Sequence, residues 1–201
     1  MAGIRTTATG WAAATVVVGI AITGCGNSGK TPSSQTNSTA GSSSPAKPAP
    51  AQPPDYSALL IQPGDLGGDF AAPRPPVLNF NNTVGVAQLF VNADNSRRIG
   101  DTILVVDNPA IAATALDNTK TNYAQKVTGG TWQPVDVGTN GQMISGTSQD
   151  NSQGITVLLF TEGRALVNLE FDGAPNDPID PAIATDIGRK QAAAIKNGLH
   201  D

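Results

Sequence analysis

The stretch ITVLLFTEGRALVNLEF, residues 155–171, decides the fold of this chain. Two apolar runs flank Glu162-Gly163-Arg164, a combination that breaks a strand and turns the chain. In the second run every other residue from Ala165 to Phe171 is apolar, and Asn168 and Glu170 fall between them. The pattern predicts a β-hairpin in a sheet that has one wet side.

A second hairpin is predicted towards the N-terminus. Residues 84–91 (VGVAQLFV) and 99–106 (IGDTILVV) are strand candidates, and the polar residues 92–98 between them turn the chain. Asn108 followed by Pro109 is typical of a helix start, so a helix is expected from there to about residue 126.

The remaining elements follow the same signals. Residues 131–137 and 142–148 are strand candidates with a Gly-Thr-Asn-Gly turn between them. Asp180-Pro181 repeats the cap-then-proline signal, and a closing helix is expected to about residue 197. Its inward residues are predicted to include Ile183, Ile187, Ala194 and Ile195.

These elements predict an α+β fold for residues 56–201. The order is β-β-α-β-β-β-β-α, with an antiparallel sheet of about six strands and two helices packed on one face. The length is normal for one globular domain, and the segment contains no cysteine, so disulfides do not stabilise it.

The segment before the domain has a different composition. Residues 25–55 are rich in Ser, Pro and Thr and contain almost no apolar side chains, so we expect a disordered spacer. Residues 1–24 contain a positive charge at Arg5 and an apolar run at 11–22. That run is too short to span a bilayer and is typical of a signal peptide.

The stretch ITGCGNSGKT, residues 22–31, fits two patterns. It matches a phosphate-binding loop, but the residues after Thr31 lack the helix that such a loop needs, so no nucleotide is expected. Ile22, Thr23 and Gly24 before Cys25 equally match a lipobox. We expect a signal peptidase to recognise Ile22, Thr23 and Gly24, and Cys25 to be lipidated. Two acyl chains are enough for stable attachment to a membrane.

Charge and composition exclude several functions. The chain has 16 acidic and 12 basic residues, which argues against nucleic acid as a partner. The sole histidine, His200, is next to last, so neither a catalytic triad nor a zinc site is expected. The sequence predicts no enzyme, no metal and no cofactor.

Three weaker alternatives involve charged residues. Asp172, Asp177 and Asp180 are a calcium candidate, but they lack the spacing of a calcium loop. Arg97-Arg98 in the first hairpin turn is a candidate for gripping an anionic group. Glu162 and Glu170 are the only glutamates for a carboxylate-dependent hydrolase.

The lipobox at 22–25, the Ser/Pro/Thr spacer and the domain architecture resemble mycobacterial envelope lipoproteins, loosely the group that contains LpqN and LpqT. The opening ALLIQPGDL, residues 58–66, is also similar to the extracellular sensor domains of mycobacterial Ser/Thr kinases. The resemblance implies diacylglyceryl transfer to Cys25, with the protein held by its lipid on the extracytoplasmic side of the cell membrane.

The functional expectation is a non-catalytic binding or interaction domain displayed at the envelope. Its partner is expected to be an envelope protein, a glycan or a lipid, but the sequence identifies no ligand-binding residue. The alternative is a carrier of a hydrophobic envelope lipid, which requires a large cavity between sheet and helices.

Overall fold

The computed structural model describes residues 54–200. The predicted signal peptide, the lipobox with Cys25 and nearly all of the predicted spacer lie outside the described residues. No helix within 54–200 combines the length and apolar character that crossing a membrane requires.

Seven strands and three α-helices form the domain. The strands are β1 (Val77–Leu78), β2 (Gly85–Val91), β3 (Arg98–Val105), β4 (Gln133–Pro134), β5 (Thr139–Thr147), β6 (Gly154–Glu162) and β7 (Ala165–Gly173). The helices are α1 (Pro63–Leu66), α2 (Pro109–Ala124) and α3 (Pro181–Gly198). Single turns of 3₁₀ helix occupy Ser57–Leu59 and Phe80–Asn82.

All strands join one antiparallel sheet in the order β1-β2-β3-β7-β6-β5-β4. The predicted α+β class is therefore confirmed, and the two predicted hairpins are present as β2-β3 and β6-β7. The sheet has one strand more than predicted, β1, a two-residue edge strand. The strand expected at 131–137 is reduced to β4, where Pro134 leaves one N–H fewer for the ladder.

The β6-β7 hairpin forms the centre of the sheet. Leu158 lies opposite Leu169 and Phe160 opposite Val167, and all four are completely buried. Gly163 in the turn has a φ of 55°, a conformation that a residue with a Cβ rarely adopts.

The expectation that both helices pack on one face is wrong. On β6, Leu158 and Phe160 belong to the apolar cluster that includes Ile187 and Ile195 of α3. Val157 and Leu159 point the other way and belong to the cluster of α2. We call these sides the α3 face and the α2 face. A central strand that is apolar on both sides must be covered on both, so the domain has three layers.

Both predicted helix starts are confirmed. The Asn108 side chain accepts a hydrogen bond from the Ile111 N–H at 3.0 Å, and that of Asp180 accepts one from the Ala182 N–H at 2.8 Å. Ile187 and Ile195 are buried as predicted, but Ile183 is 52% exposed. Ile183 is the third residue of α3 and lies in its first turn.

Candidate functional site: a buried carboxyl beside a sheet-edge cavity

The centre of the α3 face contains a carboxyl group with no partner. Asp101 of β3 is fully buried, and neither carboxylate oxygen has a hydrogen-bond partner among the described residues. Burial raises the pKa of Asp101 to about 8, against a smaller lowering by the nearby Ile61 N–H. The group is therefore mostly a neutral acid at pH 7, and a group of this kind is a candidate for a functional role.

Strand alternation places Asp101 in the core. It stands between Ile99 and Ile103, and successive odd positions of β3 are all buried. An aspartate at an inward position of an apolar strand is a signal within the sequence. The strand was predicted from the sequence, but Asp101 was not predicted as a site residue, because the strand was considered only as a whole.

Gln191 attaches the first segment of the domain above this face. Its Nε2 donates to the Leu59 carbonyl at 2.7 Å, and its Oε1 accepts from the Ile61 N–H at 3.0 Å. Gln191 lies on α3 and is completely buried, and both the nitrogen and the oxygen of its amide form hydrogen bonds within the protein. The segment at Leu59–Ile61 is thereby placed beside Asp101.

Gln88 performs a similar task for the segment at residues 72–76, which we call the proline loop. Its Nε2 donates to the Arg74 carbonyl at 3.0 Å and to the Leu89 carbonyl at 2.9 Å. Gln88 is also the direct cross-strand partner of Asp101 on the α3 face. Two buried glutamines therefore hold two separate chain segments, Gln191 the one at residues 59–61 and Gln88 the proline loop.

The edge of the sheet opens where the proline loop lies. Ala71 pairs with Val91 through two hydrogen bonds of 2.9 Å, and β1 pairs with β2 at Ala87. Between these points three prolines occur within residues 72–76, and their lack of N–H groups prevents continuous pairing with β2. The loop therefore departs from the sheet and forms a wall.

A cavity of about 470 Å³ lies between these segments, and we call it the sheet-edge cavity. Residues 60–63 form one side, the proline loop forms the other, and Gln88 and Phe90 form the floor. Its volume is in the range of small-molecule sites. Asp101 itself does not line the cavity but lies directly beside the floor, through its pairing with Gln88.

Arg97 and Arg98, the candidates for binding an anionic group, pair with carboxylates of the protein itself. Arg97 donates to Asp177, and the Arg98 guanidinium lies 3.8 Å from Asp172. Burial and the neighbouring Glu170 carboxylate raise the pKa of Asp172, and Arg98 opposes them. Arg98 connects β3 to the end of β7, and Arg97 connects the first hairpin turn to the loop after β7, so both pairs have a structural role.

The three aspartates of the calcium alternative have other contacts in the domain. Asp172 and Asp177 take part in the arginine pairs, and Asp180 caps α3. Within residues 54–200 no group of three or more possible metal-ligating side chains comes together.

The two glutamates of the hydrolase alternative are separated by the sheet. Glu162 lies opposite Ala165 on the α3 face, whereas Glu170 lies opposite Val157 on the α2 face. Glu170 accepts a hydrogen bond from the Tyr123 hydroxyl of α2, which in turn accepts one from Asn168 Nδ2 at 2.8 Å. These glutamates do not form a catalytic pair. His200 is exposed beyond α3.

Comparisons with known proteins give one likeness. No family model and no curated protein matches the chain. Among solved structures, the fold is similar to that of the extracellular domain of PknH from Mycobacterium tuberculosis, with a TM-score of 0.48 and 10% sequence identity. The likeness covers 73% of this chain and 96% of the PknH domain.

Proposed function

We propose that the protein is a lipid-anchored, extracytoplasmic binding protein whose domain takes up a small ligand, without catalysis, in the sheet-edge cavity. The observation that carries the binding role is Asp101, a fully buried carboxyl group without a partner beside a preformed cavity. The anchoring role rests on the sequence pattern that ends at Cys25.

The free-energy cost of burying Asp101 without a partner supports a functional role for this residue. An unsatisfied buried polar group costs roughly 1–3 kcal/mol relative to an apolar side chain of the same shape. The flanking residues Ile99 and Ile103 show that the face accommodates aliphatic side chains at equivalent positions. A polar group that lowers stability at such a place is typical of a functional site.

The arrangement of the walls supports uptake of a ligand into an existing space. Gln88 and Gln191 hold the two segments that bound the cavity before any ligand arrives. A site that is organised in advance loses less conformational entropy on binding.

A cavity-filling variant tests the binding role. The wild-type cavity, Ala72→Trp and the matched control Ala93→Trp are each placed in the full chain carrying Cys25→Ser and purified without detergent, and bound small molecules are extracted and analysed by mass spectrometry. Ala72 lines the cavity, and Ala93 is exposed in the first hairpin turn. We expect a species that is present in wild type and Ala93→Trp and depleted in Ala72→Trp. Equal amounts in all three proteins contradict the cavity as the site.

Metabolic labelling tests the anchor independently. Wild-type protein is expected to incorporate radiolabelled palmitate and to sediment with membranes, and Cys25→Ser is expected to lose both properties. Thr23→Ser keeps a small residue in the lipobox and should retain both. Label incorporated into Cys25→Ser contradicts the anchoring role and leaves the cavity experiment unaffected.

A further inference from the structure

The sheet-edge cavity combines an apolar lining with one charge. Eight of its twelve lining residues are apolar, among them Leu60, Phe90 and four prolines. Among residues 54–200, Arg74 is the only charged side chain that lines the cavity. An isolated cation at an apolar cavity is notable in a chain whose formal net charge is −4.

The other polar side chains of the lining are already engaged within the protein. The Ser57 hydroxyl donates to Asp55, which lies outside the lining. Gln62 caps α1 and donates from Nε2 to the Leu60 carbonyl at 3.3 Å. Gln88 donates to two carbonyls, that of Arg74 in the proline loop and that of its own neighbour Leu89. These groups shape the site, and the O–H and N–H donors named here are already engaged within the protein.

Arg74 differs from them. Its carbonyl is held by Gln88, but its guanidinium forms no ion pair with any of the described residues. A guanidinium offers a planar set of donors that matches the oxygens of a carboxylate or a phosphate. The hydrogen bond from Gln88 to its carbonyl keeps Arg74 at the cavity, and the charge of its guanidinium stays available for a ligand.

We propose that the ligand of the sheet-edge cavity is an anionic amphiphile with a single acyl or alkyl chain. Its carboxylate or phosphate head pairs with Arg74, and its chain lies against Leu60, Phe90 and the prolines of the loop. A volume of about 470 Å³ accommodates one such chain. This inference rests on the proposed binding function and names the ligand class of that site.

Four probes with the same number of carbon atoms but different head groups show which head group the cavity prefers. The full chain carrying Cys25→Ser, purified without detergent, is titrated by calorimetry with dodecanoate, dodecyl phosphate, dodecanol and dodecylamine below their micellar concentrations. We expect the two anions to bind up to about fivefold more tightly than dodecanol, since an accessible ion pair contributes up to about 1 kcal/mol. Dodecanoate and dodecyl phosphate together show which of the two anionic heads fits better.

Variants assign the anion to Arg74. Arg74→Gln is expected to weaken dodecanoate binding about fivefold and to leave dodecanol binding unchanged, while Arg74→Lys retains most of the difference. Lys126→Gln removes an equal charge just after the end of α2, on the other side of the sheet, and should change neither affinity. Arg74 is exposed on a loop, so its variants should keep the wild-type melting temperature.

Each remaining outcome overturns the inference in a distinct way. Equal affinities for dodecanol and dodecanoate show a neutral ligand, and tightest binding of dodecylamine shows a cationic one. If no probe binds but the copurified species is still lost in Ala72→Trp, the ligand class is wrong and the binding function stands. If Ala72→Trp leaves both the copurified species and dodecanoate binding unchanged, the cavity itself is not the site.

Discussion

The side chain of Gln191 and the backbone of Leu59 are joined by a hydrogen bond of 2.7 Å between residues 132 positions apart. The same side chain accepts from the Ile61 N–H, so one amide satisfies two buried backbone groups as a neighbouring strand would. The first segment of the domain is therefore part of its core, and it forms one side of the sheet-edge cavity.

Replacing this amide should loosen that segment. Gln191→Leu leaves the Leu59 carbonyl and the Ile61 N–H without partners, and we expect a loss of roughly 2–4 kcal/mol in the free energy of unfolding, measured by urea denaturation. Gln191→Glu keeps an acceptor for Ile61 and should be less damaging. Gln125→Leu, at the exposed end of α2, is the control. If Gln191→Leu and wild type are equally stable, the Gln191 amide does not hold this segment in place.

Asp101 should make stability depend on pH. Its pKa is about 8 in the folded protein and about 3.9 in the unfolded chain, so the folded state retains a proton that the unfolded state releases. Stability is therefore highest below about pH 4 for this group and falls as the pH rises to about 8. The slope approaches ~1.4 kcal/mol per pH unit within that window.

Asparagine at this position tests the assignment. Asp101→Asn cannot ionise, so its free energy of unfolding should lose most of that slope between about pH 5 and pH 8. Asp117→Asn, on the exposed side of α2, should keep the wild-type profile. An unchanged slope in Asp101→Asn means that Asp101 does not carry the proton.

Gly188 allows α3 to approach the sheet closely. A Cβ at this position would lie 2.4 Å from Leu158 Cδ2 and 3.1 Å from Val137 Cγ1, both on buried side chains. Alanine favours a helix by about 1 kcal/mol over glycine, but overpacking costs typically 1–3 kcal/mol. We expect Gly188→Ala to unfold at a lower temperature than wild type. Ala193→Gly, on the exposed side of α3, measures the propensity difference alone. A higher melting temperature for Gly188→Ala contradicts the close approach.

Tyr123 connects α2 to β7 through its hydroxyl. It donates to Glu170 and accepts from Asn168 while only 7% exposed, and burial raises its pKa. Tyr123→Phe should cost about 1–2 kcal/mol, because Glu170 and Asn168 lose a partner beneath the helix. A double-mutant cycle with Glu170→Gln should give a non-zero coupling energy, and additive effects would show that the two groups do not interact.

Local signals predicted most of the elements correctly. Asn108-Pro109 and Asp180-Pro181 mark the true starts of α2 and α3, and Gly163 lies in the turn of the central hairpin. These signals act through the backbone of neighbouring residues, so they hold in any tertiary setting. β1 was missed because a two-residue edge strand has no alternation to detect.

Only part of the candidate site could be predicted from the sequence. Asp101 stands out as a polar residue at an inward strand position, so its burial follows from alternation. Its proximity to the cavity does not, because that depends on Gln88 of β2, which pairs with it, and on Gln191 of α3, which holds the segment at residue 61. For this reason no ligand-binding residue was predicted from the sequence.

By itself, the sequence determined the class and order of the elements, since helix caps, turns and two-residue alternation are properties of short segments. Only the tertiary structure decided that α2 and α3 lie on opposite faces and that Gln88, Asp101 and Gln191 share one. The physical reason is that β6 is apolar on both sides: its pattern requires two covering layers but does not specify which helix supplies each one.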